Sequence, residues 1–144
     1  MRLHASCAAR LAPDGYDAVL ILGPPGSGKS DFLLRLLDHG FMLVADDQVL
    51  VENHIAAAPA TLAGLLEVRG LGIFRRPFIP SARLRLVIRL GVQTERLPEP
   101  QTHAELGLPL VTIDPAGLSA AARAALALEA ACGRATQLAG AFAT

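Results

Sequence analysis

Residues 23–30 read G-P-P-G-S-G-K-S and fit the spacing G-x-x-x-x-G-K-[ST] at every fixed position. Gly23, Gly26 and Gly28 allow the backbone to approach a polyphosphate closely and to turn N–H groups towards it. Pro24 and Pro25 carry no N–H, so the donors are expected from Gly26 onward, through Ser27 and Gly28. Lys29 is placed to reach the outer phosphates, and the Ser30 hydroxyl to meet Mg²⁺. The flanks agree with this reading. Residues 17–22 (D-A-V-L-I-L) form a short apolar run, and Phe32, Leu33, Leu36 and Leu37 recur at helical spacing. Strand, glycine loop and helix N-terminus is the order that anion binding requires. Lys29 is also the single lysine of the chain, every other strongly basic residue being arginine.

Composition narrows the classes. With 144 residues the chain is long enough for one compact domain, residues 1–144, with a real core. The formal net charge is zero, which argues against a duplex nucleic acid or an anionic membrane held by bulk electrostatics. Cys7 and Cys132 have no C-x-x-C spacing, so two reduced thiols in a cytoplasmic protein are expected. The first residues lack a charged segment followed by an apolar one, so no signal peptide is expected. No apolar run reaches the roughly 18 residues of a membrane span.

Taken in order, residues 3–11 read as a strand and residues 12–15 (A-P-D-G) as a turn into the strand that delivers the glycine loop. That hairpin places His4 near the loop. A helix over 28–38 ends at His39-Gly40. Residues 41–45 (F-M-L-V-A) form an apolar strand closing on Asp46 and Asp47. Two acids at the end of a buried strand, just after a phosphate loop, mark where a metal-linked acid or a base belongs. Neighbouring strand residues face opposite ways, so the two are expected to have different jobs.

A second hairpin is expected over 48–58, turning at Asn53-His54. Residues 65–74 (L-L-E-V-R-G-L-G-I-F) are broken by Gly70 and Gly72, and residues 83–90 alternate arginine with aliphatics, which predicts one buried and one charged face. Residues 91–108 read as a long irregular segment. A last strand over 110–114 leads to Ser119 as N-cap of a helix ending near Ala131, and the tail from about 134 is expected to fray.

Four pieces now coincide in order and separation: His4-Ala5-Ser6, the glycine loop, G-F-M-L-V-A-D-D at 40–47 and L-L-E-V-R-G-L-G-I at 65–73. Together they resemble the catalytic domain of the HPr kinase/phosphorylase family, in the short form found in some proteobacteria. The resemblance covers roughly residues 3–131. It implies an α/β P-loop domain with a mixed β-sheet, related to phosphoenolpyruvate carboxykinase. It implies ATP and Mg²⁺ as cofactors, a serine of the phosphocarrier HPr as acceptor, reversal by phosphorolysis, and a homo-oligomer. By position, Lys29 matches the nucleotide-phosphate lysine, and Ser30 and Glu67 the Mg²⁺ ligands. Asp47 matches the residue that accepts the serine proton, with Asp46 as the alternative. His4 matches a histidine at the site, and Arg96 an arginine of the family's mobile loop.

The chain departs from the family in the Pro-Pro pair of its glycine loop, in a longer first hairpin, and after the last strand. There residues 114–118 (D-P-A-G-L) stand where long members carry a glycine-arginine-asparagine motif tied to the phosphorylase direction. Two other readings stay open at this stage. One is a small-molecule P-loop kinase, the other a nucleotide-binding regulatory module with little catalysis.

Overall fold

The computed structural model describes residues 1–143. The chain opens with strands β1 (Arg2–Leu3), β2 (Ser6–Ala12) and β3 (Gly15–Leu22), followed by helix α1 (Lys29–Leu37) and β4 (Met42–Ala45). Strands β5 (Val49–Glu52) and β6 (Ile55–Ala57) precede a 3₁₀ turn (Ala60–Leu62) and the hairpin β7 (Leu65–Val68) and β8 (Gly72–Arg75). The long strand β9 (Ala82–Leu90), β10 (Gln101–Thr102), β11 (Pro109–Ile113) and helix α2 (Ala120–Ala131) complete it.

Nine strands make one mixed sheet, and β7 and β8 form a separate two-stranded one. Strand β3 lies inside the sheet, antiparallel to β2 on one edge and parallel to β9 on the other. Strand β4 is antiparallel to β2, and so runs the same way as β3. The far edge of β9 is shared: β6 pairs with its start, and β11 runs parallel along its end. The C-terminal ends of β3, β4, β9 and β11 therefore open at one end of the sheet. Ligands of open α/β sheets bind at such an end.

Both faces are covered. Phe32, Leu33 and Leu36 of α1 and Leu128 of α2 pack on Val19, Ile21 and Ile88. On the opposite face Leu20, Leu84 and Val87 meet Val49, Val51, Ala56 and Leu106. Cys7 belongs to this second cluster and Cys132 packs against the first, so the two free thiols lie on opposite sides of the sheet. Among the described residues no helix is long and apolar enough to cross a membrane.

The alternating arginine strand does not present a plain charged face. The β3–β9 register shifts, with Ala18 opposite Leu84 but Val19 opposite Leu86, so Arg85 is an extra residue that reverses the alternation. Leu84 packs with the second cluster, whereas Leu86, Ile88 and Leu90 pack with the helices. The shift brings Arg83 and Arg85 to the helix side, where both meet Asp17. The Asp17 side chain is 0% exposed, with Arg83 Nη2 at 3.1 Å, Arg134 Nη2 at 3.0 Å and Arg85 Nη1 at 3.5 Å.

Arg134 reaches this cluster through the end of α2. Gly133 has φ 76°, its N–H donates to Ala130 O at 3.1 Å, and the Arg134 N–H donates to Glu129 O at 2.9 Å. The chain just after α2 is thus tied back to the sheet at Arg134. Phe142 also packs against the helix-side core, and its N–H donates to Gln137 Oε1 at 2.7 Å.

Three further expectations are corrected. The strand expected over 3–11 breaks at His4-Ala5, because the Ala5 N–H donates to Asp47 O at 3.2 Å while β1 pairs with β5. Ser119 precedes α2, but its hydroxyl accepts from Arg123 Nε at 2.8 Å and caps no backbone N–H. The segment over 91–108 is not wholly irregular, since β10 pairs with β11. The Asn53-His54 turn is as expected, with φ 51° and 63°, and His54 Nε2 lies 2.8 Å from Leu106 O.

Burial alone would raise the Asp17 pKa, but hydrogen bonds from Arg134 and Arg83 and the charge of Arg85 outweigh it and hold the carboxyl below its ordinary value. The contribution is therefore complete above about pH 5 and is lost as pH falls through the folded-state value. Asp17→Asn is expected to cost about 3 kcal/mol at neutral pH, because Arg83 and Arg85 lose their carboxylate partner and Arg134 keeps only Glu129. Urea midpoints measured from pH 7 down to pH 2 check this: the gap to wild type should narrow below about pH 5. A gap that persists at acid pH would locate the effect in packing.

Candidate active site

Because β3 and β4 point the same way, the glycine loop and the Asp46-Asp47 pair emerge side by side. The loop is tight. The Ser27 N–H donates to Pro24 O at 3.0 Å, so it closes a turn and is not free for a ligand. A Cβ on Gly23 would lie 2.3 Å from Ser27 Oγ, so a larger residue there would displace the Ser27 side chain. Gly26 and Gly28 take φ 80° and 94°, and α1 starts directly after. The first N–H groups of a helix have no intrahelical acceptor, so those of Lys29 and Ser30 are available. Lys29 is buried, and its Nζ donates to Gly23 O at 2.7 Å and Pro24 O at 3.2 Å, which folds the ammonium over the loop.

The two acids differ sharply. Asp46 is buried and its carboxylate is fully engaged. Its Oδ1 accepts from Ser30 Oγ at 2.8 Å and Ser6 Oγ at 3.1 Å, and its Oδ2 from the Glu67 N–H at 3.2 Å. Asp47 follows in the left-handed region, φ 73°, which aspartate tolerates better than most residues. That conformation turns its side chain out, 63% exposed, with Oδ1 3.4 Å from His4 Nδ1. The different surroundings expected of the pair are present, but they come from a backbone reversal after β4 rather than from strand alternation.

A cleft of about 540 Å³ collects these groups, lined among others by His4, Ser6, Lys29, Ser30, Asp47 and Glu67. Arg96 is not among them. It lines a second cavity of about 960 Å³ at the ends of β9 and β11. Sequence reasoning assigned no role to Ser6, whose hydroxyl anchors Asp46. The available signal was a polar residue entering an otherwise apolar strand two positions after His4.

The donor set suits a polyphosphate. Lys29 and Ser30, the first residues of α1, line the same cleft as Gly26 and Gly28. Among the described residues no group of three or more His, Cys, Asp or Glu forms a self-sufficient metal site. Mg²⁺ in phosphoryl-transfer sites takes one or two carboxylates and completes its shell with phosphate and water. Ser30 and Glu67 on one cleft fit that pattern.

The family model described as the HPr serine kinase C-terminal domain matches residues 16–111, a span that holds the glycine loop, both aspartates, Glu67 and Arg96. The chain belongs to this family. An HPr kinase/phosphorylase of Stenotrophomonas maltophilia (strain K279a) is 36% identical over 66% of this chain and 37% of its own length. One from Bordetella pertussis is 40% identical over 64% of this chain and 36% of its own. The chain thus spans about a third of the length of the curated relatives it matches. The solved HPr(Ser) kinase/phosphatase of Coxiella burnetii superposes with a TM-score of 0.67 at 26% identity, covering 90% of this chain and 99% of that one.

The engagement of Asp46 predicts a split between the acids of this HPr kinase-family domain. Asp46→Ala leaves two hydroxyls and one N–H unpaired and should cost about 2–3 kcal/mol in urea unfolding. Asp47→Asn keeps a residue that accepts the left-handed backbone and should stay within about 0.5 kcal/mol of wild type. Equal losses in the two would remove the distinction.

Proposed function

We propose that this chain is an ATP- and Mg²⁺-dependent kinase domain that phosphorylates a serine of the phosphocarrier HPr. The observation that carries the proposal is that a buried, engaged Asp46 bonds Ser30 at 2.8 Å while an open Asp47 lines the same cleft as Ser30. The family of the chain and the names of its relatives support the acceptor. In this reading the glycine loop is a P-loop and the fold is of the phosphoenolpyruvate carboxykinase type.

The residues divide the work. Loop N–H groups and Lys29 hold the nucleotide phosphates and offset charge on the transferring group. Mg²⁺, when bound through Ser30 and Glu67, supplies further charge neutralisation. Asp46 fixes the Ser30 hydroxyl in orientation. The acceptor hydroxyl attacks the terminal phosphorus, the bond to the leaving diphosphate breaks, and Asp47 takes the hydroxyl proton. His4, beside Asp47, orients that carboxylate. In the reverse direction inorganic phosphate attacks the phosphoserine phosphorus, the serine O–P bond breaks as pyrophosphate forms, and Asp47 returns a proton to the serine oxygen. Arginine is absent from residues 114–118, which makes the forward reaction the main one in this reading. The proposal extends to a cytoplasmic homo-oligomer, as the family resemblance implies.

The test is incubation with ATP, Mg²⁺ and HPr, followed by mass spectrometry of the carrier. One phosphate on one serine is expected, and Lys29→Ala should slow its appearance by on the order of 10²–10³-fold. An unmodified HPr beside a phosphorylated small molecule would favour the small-molecule kinase. Undiminished activity in Lys29→Ala would remove the phosphate-loop assignment.

A further inference from the structure

The cavity of about 960 Å³ that holds Arg96 takes no part in the cleft chemistry described above. Its position relative to the glycine loop is fixed by strand register. Leu22 of β3 pairs with Arg89 of β9, and Arg89 pairs with Thr112 of β11. Gly23 follows Leu22 directly, and its Cβ position lies 3.5 Å from Leu90 Cβ, so the loop start rests on the end of β9. Two strand spacings separate the loop from the end of β11, about 10 Å. That is the reach of a nucleoside from its phosphates.

The cavity also lies on the correct side. Strand β4, with Asp46 and Asp47 after it, flanks β3 through β2, whereas β9 and β11 lie on the other side of β3. A polyphosphate seated on the loop with its terminal phosphate towards the acids sends its remaining portion towards the cavity. The lining has the mixed character of a nucleoside site. Val92, from the segment after β9, and Leu118, from the segment after β11, line it from two sides while standing 75% and 107% exposed. Exposed aliphatic side chains that line one cavity suit contact with a flat ring. Gln93 and Asp114 add hydrogen-bonding groups, and Arg96 and Arg123 add guanidiniums, which suit sugar hydroxyls and the innermost phosphate.

We propose that this cavity is the nucleoside subsite, with the base held between Val92 and Leu118. The proposal rests on the glycine loop binding a nucleotide's phosphates, and it gives Arg96 a place on the nucleotide side of the reaction.

Calorimetric titration of the chain with Mg²⁺-ATP and with Mg²⁺-tripolyphosphate separates the two assignments. Wild type should bind ATP more tightly than tripolyphosphate. Leu118→Asp and Val92→Asp, both at exposed positions that the fold tolerates, should each weaken ATP about tenfold and leave tripolyphosphate unchanged. Lys29→Ala should weaken both ligands. Unchanged ATP affinity in both aspartate variants would overturn the subsite, as would an equal loss for both ligands. A wild-type chain that binds neither ligand would overturn the phosphate-loop reading and the subsite with it. As a second measurement, irradiation with 8-azido-ATP should label peptides containing Val92 or Leu118, and labelling confined to other segments would place the base elsewhere.

Discussion

The Asp46 carboxylate is the interaction on which the rest of the site depends. It accepts from a hydroxyl on β2, a hydroxyl at the start of α1 and a backbone N–H on β7, three elements far apart in sequence. A buried carboxylate needs such donors, since each hydrogen bond to a charged group is worth about 1.5–3 kcal/mol and an unpaired one is costly. The consequence reaches beyond stability. Both carboxylate oxygens are committed, so Asp46 holds Ser30 in place. The neighbouring Asp47, thrown outward by its left-handed backbone, is left to face whatever enters the cleft. One acid is committed to holding the site together and the other stands exposed in the cleft.

The opposite end of β3 shows the same physics put to a different use. Asp17 is as buried as Asp46, but its partners are three guanidiniums rather than hydroxyls and an amide. That cluster fastens the end of α2 to the sheet. At about 3.3 Å per residue, it lies roughly 20 Å from the glycine loop. The closed end therefore carries the charge network that locks the chain, and the end where β3, β4, β9 and β11 terminate is left for ligands.

Much of this was legible in the sequence where one local rule acted alone. The glycine loop, α1, β4 and the Asn53-His54 turn follow from glycine freedom, periodicity and turn chemistry. Asp47, His4, Lys29, Ser30 and Glu67 do share a cleft. What was not legible depended on pairing between distant segments. The bulge at Arg85 reverses which face its neighbours occupy, and no alternation count detects a bulge. The clamp on Asp17 needs Arg134, more than a hundred positions away, which no local pattern pairs with it. Ser6 gains its meaning only once β2 is laid beside β3 and β4. Arg96 belongs to a different cavity because the segment after β9 lies on the β11 side of the sheet, which topology alone decides.

The central claim is that Asp46 positions Ser30 and Asp47 takes the acceptor proton. It is tested most directly by single-turnover phosphoryl transfer to HPr at saturating nucleotide in Asp47→Asn, with nucleotide affinity measured in parallel. The account predicts transfer slowed by at least about 10²-fold at unchanged affinity. Normal transfer by Asp47→Asn, with the loss found in Asp46→Asn instead, would contradict it.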